Sequence, residues 1–400
     1  MIFIFQHVFR ILLVIGFVSG LVGYPTNMQA AQNRQDPQEL DIHSESAILI
    51  DGLTGTILYA KNENKTYYPA SITKIVTGIV ALEASSPDEI VTVSKEARYE
   101  DGTRVFLAEG EQVPMMKLIE GLLMNSGNDA ATAIAEHIDG SKEVFAQRMN
   151  QFVTEKIGIK NTQFRNPHGL FDSEHYTTAK DMALIAQYAM KNSTFRRIVS
   201  TKTKPWNGEE WKSNLVNHNK LLRTYDGATG IKNGFTDESR FTLVGSAMRN
   251  GMELIGVVMK SATSNESYSD MTQLLDYGFG NYERKQIMAA NETKAYSAGG
   301  TTNAFVTNYP IVVTVRKDEE LQVTLDEVGN LSVKEGINPS RIITRLSPIE
   351  VADPKPTPTP ELEIKNETNI WRIFITVLWF LMNLFLGMIA WTIKEKRKTS

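Results

Sequence analysis

Three short stretches hold residues whose types and spacing could do chemistry. In "YPASITKIVTG" (68–78), Ser71 and Lys74 stand three apart. Positions i and i+3 share one face of a helix, so Lys74 can reach beside the Ser71 hydroxyl. A serine hydroxyl is a weak nucleophile until a base takes its proton. A lysine can be that base when burial and nearby positive charge lower its pKa. Taken alone, the pair reads better as a helix-capping serine followed by a surface lysine. In "LLMNSGNDAA" (122–131), Ser126, Gly127 and Asn128 form an S-x-N triplet at a break between apolar stretches. By itself it reads equally as a turn with a cap at Asn128 or Asp129. In "GATGIKNGFT" (227–236), Lys232, Asn233 and Gly234 enter a strand. Glycine there would let a substrate backbone approach; otherwise this is an ordinary polar edge strand.

Other chemistries find little support. No G-x-S-x-G, H-E-x-x-H, P-loop or G-x-G-x-x-G is present, the six histidines are scattered, and there is no cysteine. Metal catalysis is therefore not expected. His168, in "FRNPHGL" (164–170), is expected to stabilise a turn or pack near the site rather than act as a base.

Together and in this order, the three motifs resemble those of the penicillin-recognising serine enzymes. "FRNPHGL", "TTAKDM" (177–182) and "GIKNGFTDESRFTLVGSA" (230–247) narrow the resemblance to the D-alanyl-D-alanine carboxypeptidases, the low-molecular-mass penicillin-binding proteins. It spans about Glu45 to Gly278. The resemblance implies that Ser71 is the acylated nucleophile and Lys74 its general base. Ser126 would relay protons, and Asn128 would hold the substrate amide and Lys74. Lys232 would supply positive charge near Ser126 and the substrate carboxylate, with Gly234 beside it. The backbone N–H groups of Ser71 and Phe235 would form the oxyanion hole. The implied substrate is a peptidoglycan stem peptide ending in D-Ala-D-Ala, with β-lactam antibiotics as covalent inhibitors and no cofactor or metal. One departure stands out. The family usually has threonine where this chain has Asn233, and Thr236 is a candidate to share its contact with the terminal carboxylate. Two alternatives follow: a serine β-lactamase, or a catalytically weakened wall-binding relative.

These residues need a scaffold. "ESAILIDGLTGTILYAK" reads as a hairpin, with strands Ala47–Ile50 and Thr56–Lys61 about a turn at Asp51–Gly55. "FTLVGSAMRNGMELIGVVMK" reads as a second, with Asn250-Gly251 between Thr242–Met248 and Met252–Met259. Met115, Leu118, Ile119 and Leu122 fit one helical face, as do Met182, Ile185, Ala186 and Ala189 behind Thr178 and Asp181 at capping-box spacing. Strands at both ends with helices between predict one antiparallel sheet. With the resemblance, the expected fold class is α/β: a serine β-lactamase/penicillin-binding-protein-like domain with flanking helices and a helical subdomain. A small all-β domain and a C-terminal transmembrane helix would follow.

The ends suggest the compartment. An apolar run at Ile11–Gly23 behind Arg10, then "NMQAAQN", reads as a signal peptide over 1–30, with an uncleaved anchor as the alternative. A linker at 31–40 leads to the catalytic domain at 41–286, and the β domain occupies 288–351. "DPKPTPTPE" lies in a Pro-rich linker at 352–370 that favours extended polyproline II. Residues 371–393 form an apolar stretch; its uncharged part, Ile373–Ile393, would span roughly 30 Å as a helix. The basic tail 394–400 ("KEKRK" within it) places that end in the cytoplasm. The expected location is the bacterial cell membrane, crossed once, with the catalytic domain outside. The net charge of −4 points to no nucleic-acid partner.

Overall fold

The computed structural model describes residues 40–299, 301–336, 338–349 and 370–397. The expected signal peptide, the N-terminal linker but for Leu40, and the Pro-rich linker up to 369 lie outside the described residues.

Five strands form the central sheet: β1 (Ser46–Asp51), β2 (Ile57–Lys61), β3 (Ala228–Thr236), β4 (Arg240–Arg249) and β5 (Met252–Ser261). Their order is β2-β1-β5-β4-β3, every pair antiparallel, so the N-terminal hairpin docks on the C-terminal strands as expected. Asn250 and Gly251 both take positive φ (49° and 77°), the pair of angles that a tight hairpin turn requires. The sheet is covered on both sides. Ile48, Ile50, Val244 and Val257 face the large core, while Leu49, Leu243, Leu254 and Val258 pack with Met271, Leu274 and Leu275 on the opposite face. Double burial explains why β1 and β5 read as continuous apolar runs rather than alternating ones.

The helices on the large-core side carry the site. They are α1 (Lys74–Ala84), α2 (Met115–Met124), α3 (Asn128–Asp139) and α4 (Ala179–Ala189). Met115, Leu118, Ile119 and Leu122 are buried on α2, and Met182, Ile185, Ala186 and Ala189 on α4, as their spacing predicts. Thr178 caps α4 by accepting the Asp181 backbone N–H at 3.0 Å. The Asp181 carboxylate instead takes the Asn161 N–H and the Thr162 hydroxyl, so the capping box is half closed. On the other face of the sheet lies α5 (Ser264–Asn281).

Beyond α5 the chain is all β. The strand Tyr282–Met288, which spans the division expected at 286–288, pairs with Ile311–Arg316. Further antiparallel strands enclose small cores around Phe305, Leu331 and Leu346, and around Val313, Val315 and Val333. Arg284 donates twice to the buried Asp51 carboxylate, both at 2.7 Å, and Thr314 donates to it at 3.0 Å. This fastens the β region to the turn between β1 and β2. One described helix, Ile370–Lys396, is long and apolar enough to cross a membrane.

Candidate active site

Ser71 lies at the start of a helix, as its spacing from Lys74 suggests, but its own turn is 3-10. That turn is Ala70–Thr73, and α1 begins at Lys74. The tighter winding has a use, because side chains at i and i+3 eclipse in a 3-10 turn. Lys74 therefore comes directly beneath Ser71, with Nζ 2.9 Å from the serine Oγ. The turn is entered through Ala70 at φ 51°, a left-handed conformation that costs a non-glycine residue energy and is typical of functional sites.

Lys74 is fully buried. Its Nζ also donates to Asn128 Oδ1 and to the His168 carbonyl, each at 2.6 Å. Burial pushes its pKa well below that of an ordinary lysine. The Lys232 charge adds to this, while Asp129 and Glu100 oppose it. The geometry suits a neutral amine: two acceptors can hold its two protons, leaving the lone pair for the Ser71 hydroxyl proton.

Ser126 is buried at the break between α2 and α3, with φ at 63°. Its hydroxyl makes no hydrogen bond to Ser71, Lys74 or Lys232. The cap position of α3 is Gly127, so neither Asn128 nor Asp129 is the helix cap that the triplet alone allowed. Asn128 instead bridges, accepting from Lys74 and donating from Nδ2 to the Asp101 carbonyl at 2.6 Å. Asp129 takes the backbone N–H groups of Val105, Leu107 and Ala130, fixing the loop before α2 against the start of α3.

The third motif lies on the edge strand β3. Lys232 is buried and donates to the Asn233 carbonyl at 2.9 Å; burial lowers its pKa to about 7. The Gly234 requirement differs from the one expected. A Cβ there would meet Ser71 N and Thr242 Oγ1, each at 2.7 Å, so it is the serine turn that needs the missing side chain. Thr242 donates to the Pro69 carbonyl at 2.9 Å, tying β4 to the same turn. Phe235 is half exposed, its ring 4.5 Å from that of Phe241. Asn233 Oδ1 is buried with no hydrogen-bond partner. The Thr236 hydroxyl exchanges hydrogen bonds with Ser239 in the β3–β4 turn.

Two further groups had no signal in the sequence. The His168 carbonyl holds Lys74, while its Nδ1 accepts the Leu170 N–H, the turn role expected of that residue. With Nδ1 accepting, the proton of a neutral ring is on Nε2, which faces Glu100 Oε2 at 3.6 Å, too far for a hydrogen bond. Glu100 is itself held by Thr132 at 2.7 Å and Lys142 at 2.9 Å. Behind the serine turn, His175 Nε2 lies 2.9 Å from Thr73 Oγ1. A Cβ on Gly169, at φ 86°, would strike the Ala70 carbonyl, so the "NPHGL" loop packs directly on that turn.

A serine hydroxyl above a buried lysine, an S-x-N loop and a lysine-bearing edge strand on an antiparallel sheet are the arrangement of a serine acyl-transfer enzyme. The family model for D-alanyl-D-alanine carboxypeptidase matches residues 30–263. The chain is 33% identical to D-alanyl-D-alanine carboxypeptidase DacF of Bacillus subtilis, over 79% of this chain and 83% of that protein. It is 35% identical to DacD of Escherichia coli, over 63% of this chain and 67% of that protein. Among solved structures, it resembles DacD of Francisella tularensis, with TM-score 0.67 and 26% identity, covering 82% of this chain and 100% of that one. Penicillin binding protein 5 of Haemophilus influenzae gives TM-score 0.68 and 27% identity, covering 77% and 98%. The protein belongs to the D-alanyl-D-alanine carboxypeptidase family, with the fold of the penicillin-binding proteins and serine β-lactamases, and is a serine-type enzyme of that class.

Proposed function

We propose that this enzyme removes the terminal D-alanine from peptidoglycan stem peptides through an acyl-enzyme on Ser71. The contact of Ser71 with the buried Lys74 carries the reading. Neutral Lys74 takes the hydroxyl proton as Ser71 Oγ attacks the carbonyl of the penultimate D-alanine. The resulting oxyanion is held by the N–H groups of Ser71 and Phe235. The close approach of Gly234 to Ser71 N supports this pairing by bringing the two elements together. The C–N bond then breaks, and the protonated Lys74 returns its proton, through Ser126, to the leaving amine. Water attacks the ester with Lys74 again as base, releasing the shortened peptide and restoring Ser71. Lys232 pairs with the terminal carboxylate, and Asn128 holds the substrate amide.

Penicillins would acylate Ser71 in the same way. The helix Ile370–Lys396 would tether the enzyme to the cytoplasmic membrane with the catalytic domain outside. Release of D-alanine from a D-Ala-D-Ala pentapeptide tests the reading. Lys74→Ala should slow it by orders of magnitude while the circular dichroism spectrum stays native. Unimpaired turnover in that variant would refute Lys74 as the base.

A further inference from the structure

The mechanism leaves one cavity beside the site unused. β3 is an edge strand, so an extended peptide can pair along it. With its terminal carboxylate at Lys232, the peptide runs antiparallel to β3, and its N-terminal part leads past Thr236 toward the β3–β4 turn. The residue before D-Ala-D-Ala falls two places from the leaving alanine, roughly 7 Å along an extended chain. That is about the reach from Phe235 to Asp237, one residue past the end of β3. Just beyond, at the β3–β4 turn, a cavity of about 440 Å³ is lined by Glu45, Tyr67, Tyr68, Tyr176, Glu238 and Lys260. Tyr68 is three residues before Ser71, so the cavity adjoins the nucleophile's own turn.

The charges in this cavity are arranged unusually. Glu45 is already engaged, by the Tyr67 hydroxyl at 3.2 Å and by Lys65 at 3.8 Å. Glu238 and Lys260 make no ion pair with each other, nor with any other of the described residues. Yet Lys260 Nζ is anchored at this spot, donating to the Glu238 backbone carbonyl at 2.7 Å. That leaves two of its three N–H donors unused. Its backbone is held at φ 60°, a strained angle for lysine of the kind that concentrates at ligand clamps. A carboxylate and an ammonium thus line one space without neutralising each other.

We propose that this cavity receives the side chain of the residue preceding D-Ala-D-Ala, and that it fits a side chain ending in an ammonium and a carboxylate on one carbon, as in a diamino diacid. Glu238 takes the ammonium and Lys260 the carboxylate. A simple lysine side chain would satisfy Glu238 but set its own charge against Lys260. An acetylated lysine would satisfy neither. This inference rests on the stem-peptide reading above.

The test uses the full-length enzyme and three pentapeptides, carrying meso-diaminopimelate, lysine or Nε-acetyl-lysine before D-Ala-D-Ala. kcat/KM for D-alanine release is measured for each, with the penicillin acylation rate recorded in parallel. The wild type should favour diaminopimelate over lysine by roughly fivefold and acetyl-lysine least, the scale of a partly exposed charge contact. Lys260→Met should collapse the diaminopimelate-to-lysine ratio, and Lys260→Arg should keep it. Glu238→Gln should collapse the lysine-to-acetyl-lysine ratio. Equal wild-type values for the three peptides would overturn the proposal, as would ratios unchanged by Lys260→Met and Glu238→Gln. No D-alanine release from any peptide, together with no penicillin acylation, would overturn the catalytic reading and this subsite with it.

Discussion

Replacing Asn233 with threonine should improve both stability and activity, for separable reasons. Asn233 Oδ1 is buried without a hydrogen-bond partner. An unsatisfied buried polar group costs about 1–3 kcal/mol. Asn233 is only half-buried, so the lower end applies. Threonine removes that group and suits a strand better. About 1 kcal/mol corresponds to a rise in Tm of roughly 2–4 °C for a domain of this size. The catalytic gain comes from aim. A hydrogen bond to a charged group contributes roughly 1.5–3 kcal/mol, and a poorly directed amide keeps only part of it. Thr236 offers little help, since its hydroxyl is committed to Ser239. A shortfall of about 0.7–2 kcal/mol in transition-state binding translates to roughly threefold to thirtyfold in kcat/KM. Asn233→Val separates the effects: it should gain the stability without the activity, because it lacks the hydroxyl. The assays are calorimetric Tm and steady-state D-alanine release from peptides with free and amidated C-termini. The catalytic gain should be confined to the free acid. Equal turnover by the asparagine and threonine forms, or an equal gain on both peptides, would refute the reasoning.

Lys232 should make activity pH-dependent. Burial lowers its pKa to about 7, so its charge fades above that pH, and kcat/KM for a D-Ala-D-Ala peptide should fall on the alkaline side. Lys232→Arg, always charged, should remove that limb, and a limb unchanged in this variant would assign it to another group. The same shift affects folding. Between about 7 and the ordinary 10.5, the unfolded chain binds a proton that buried Lys232 sheds, so its contribution to stability rises with pH through that window. Buried Lys74 adds to the same slope, so urea unfolding across that range should show a steeper rise in the wild type than in Lys232→Met. Truncation before Asp353 should release a soluble, active enzyme from the membrane fraction, and protease added outside spheroplasts should reach the catalytic domain of the full chain. Protection of that domain with cleavage of the basic tail would reverse the proposed orientation.

What the sequence made legible was local. Asn250-Gly251 marks its hairpin because few other pairs tolerate two positive φ angles, and the apolar faces of α2 and α4 follow from helical spacing. The motif residues are chemically distinctive, and Ser71, Lys74 and Asn128 do converge by hydrogen bonds. What stayed hidden depends on contacts distant in sequence. The His168 carbonyl acts through its backbone, which no side-chain pattern reveals. Glu100 resembles any loop glutamate until Thr132 and Lys142 close on it. Gly234 was legible as a close approach, but not with what, because Ser71 lies 163 positions earlier in the chain. The 3-10 turn at Ser71 escaped notice since the same spacing suits either helix type.

The central claim is that Ser71 is the acylated nucleophile and that Lys74 activates it. Intact mass and peptide mapping after brief exposure to benzylpenicillin test it most directly. The account predicts one added penicilloyl group, mapped to Ser71, absent in Ser71→Ala and formed orders of magnitude more slowly in Lys74→Ala. An adduct on another residue, or undiminished labelling of Ser71→Ala, would contradict it.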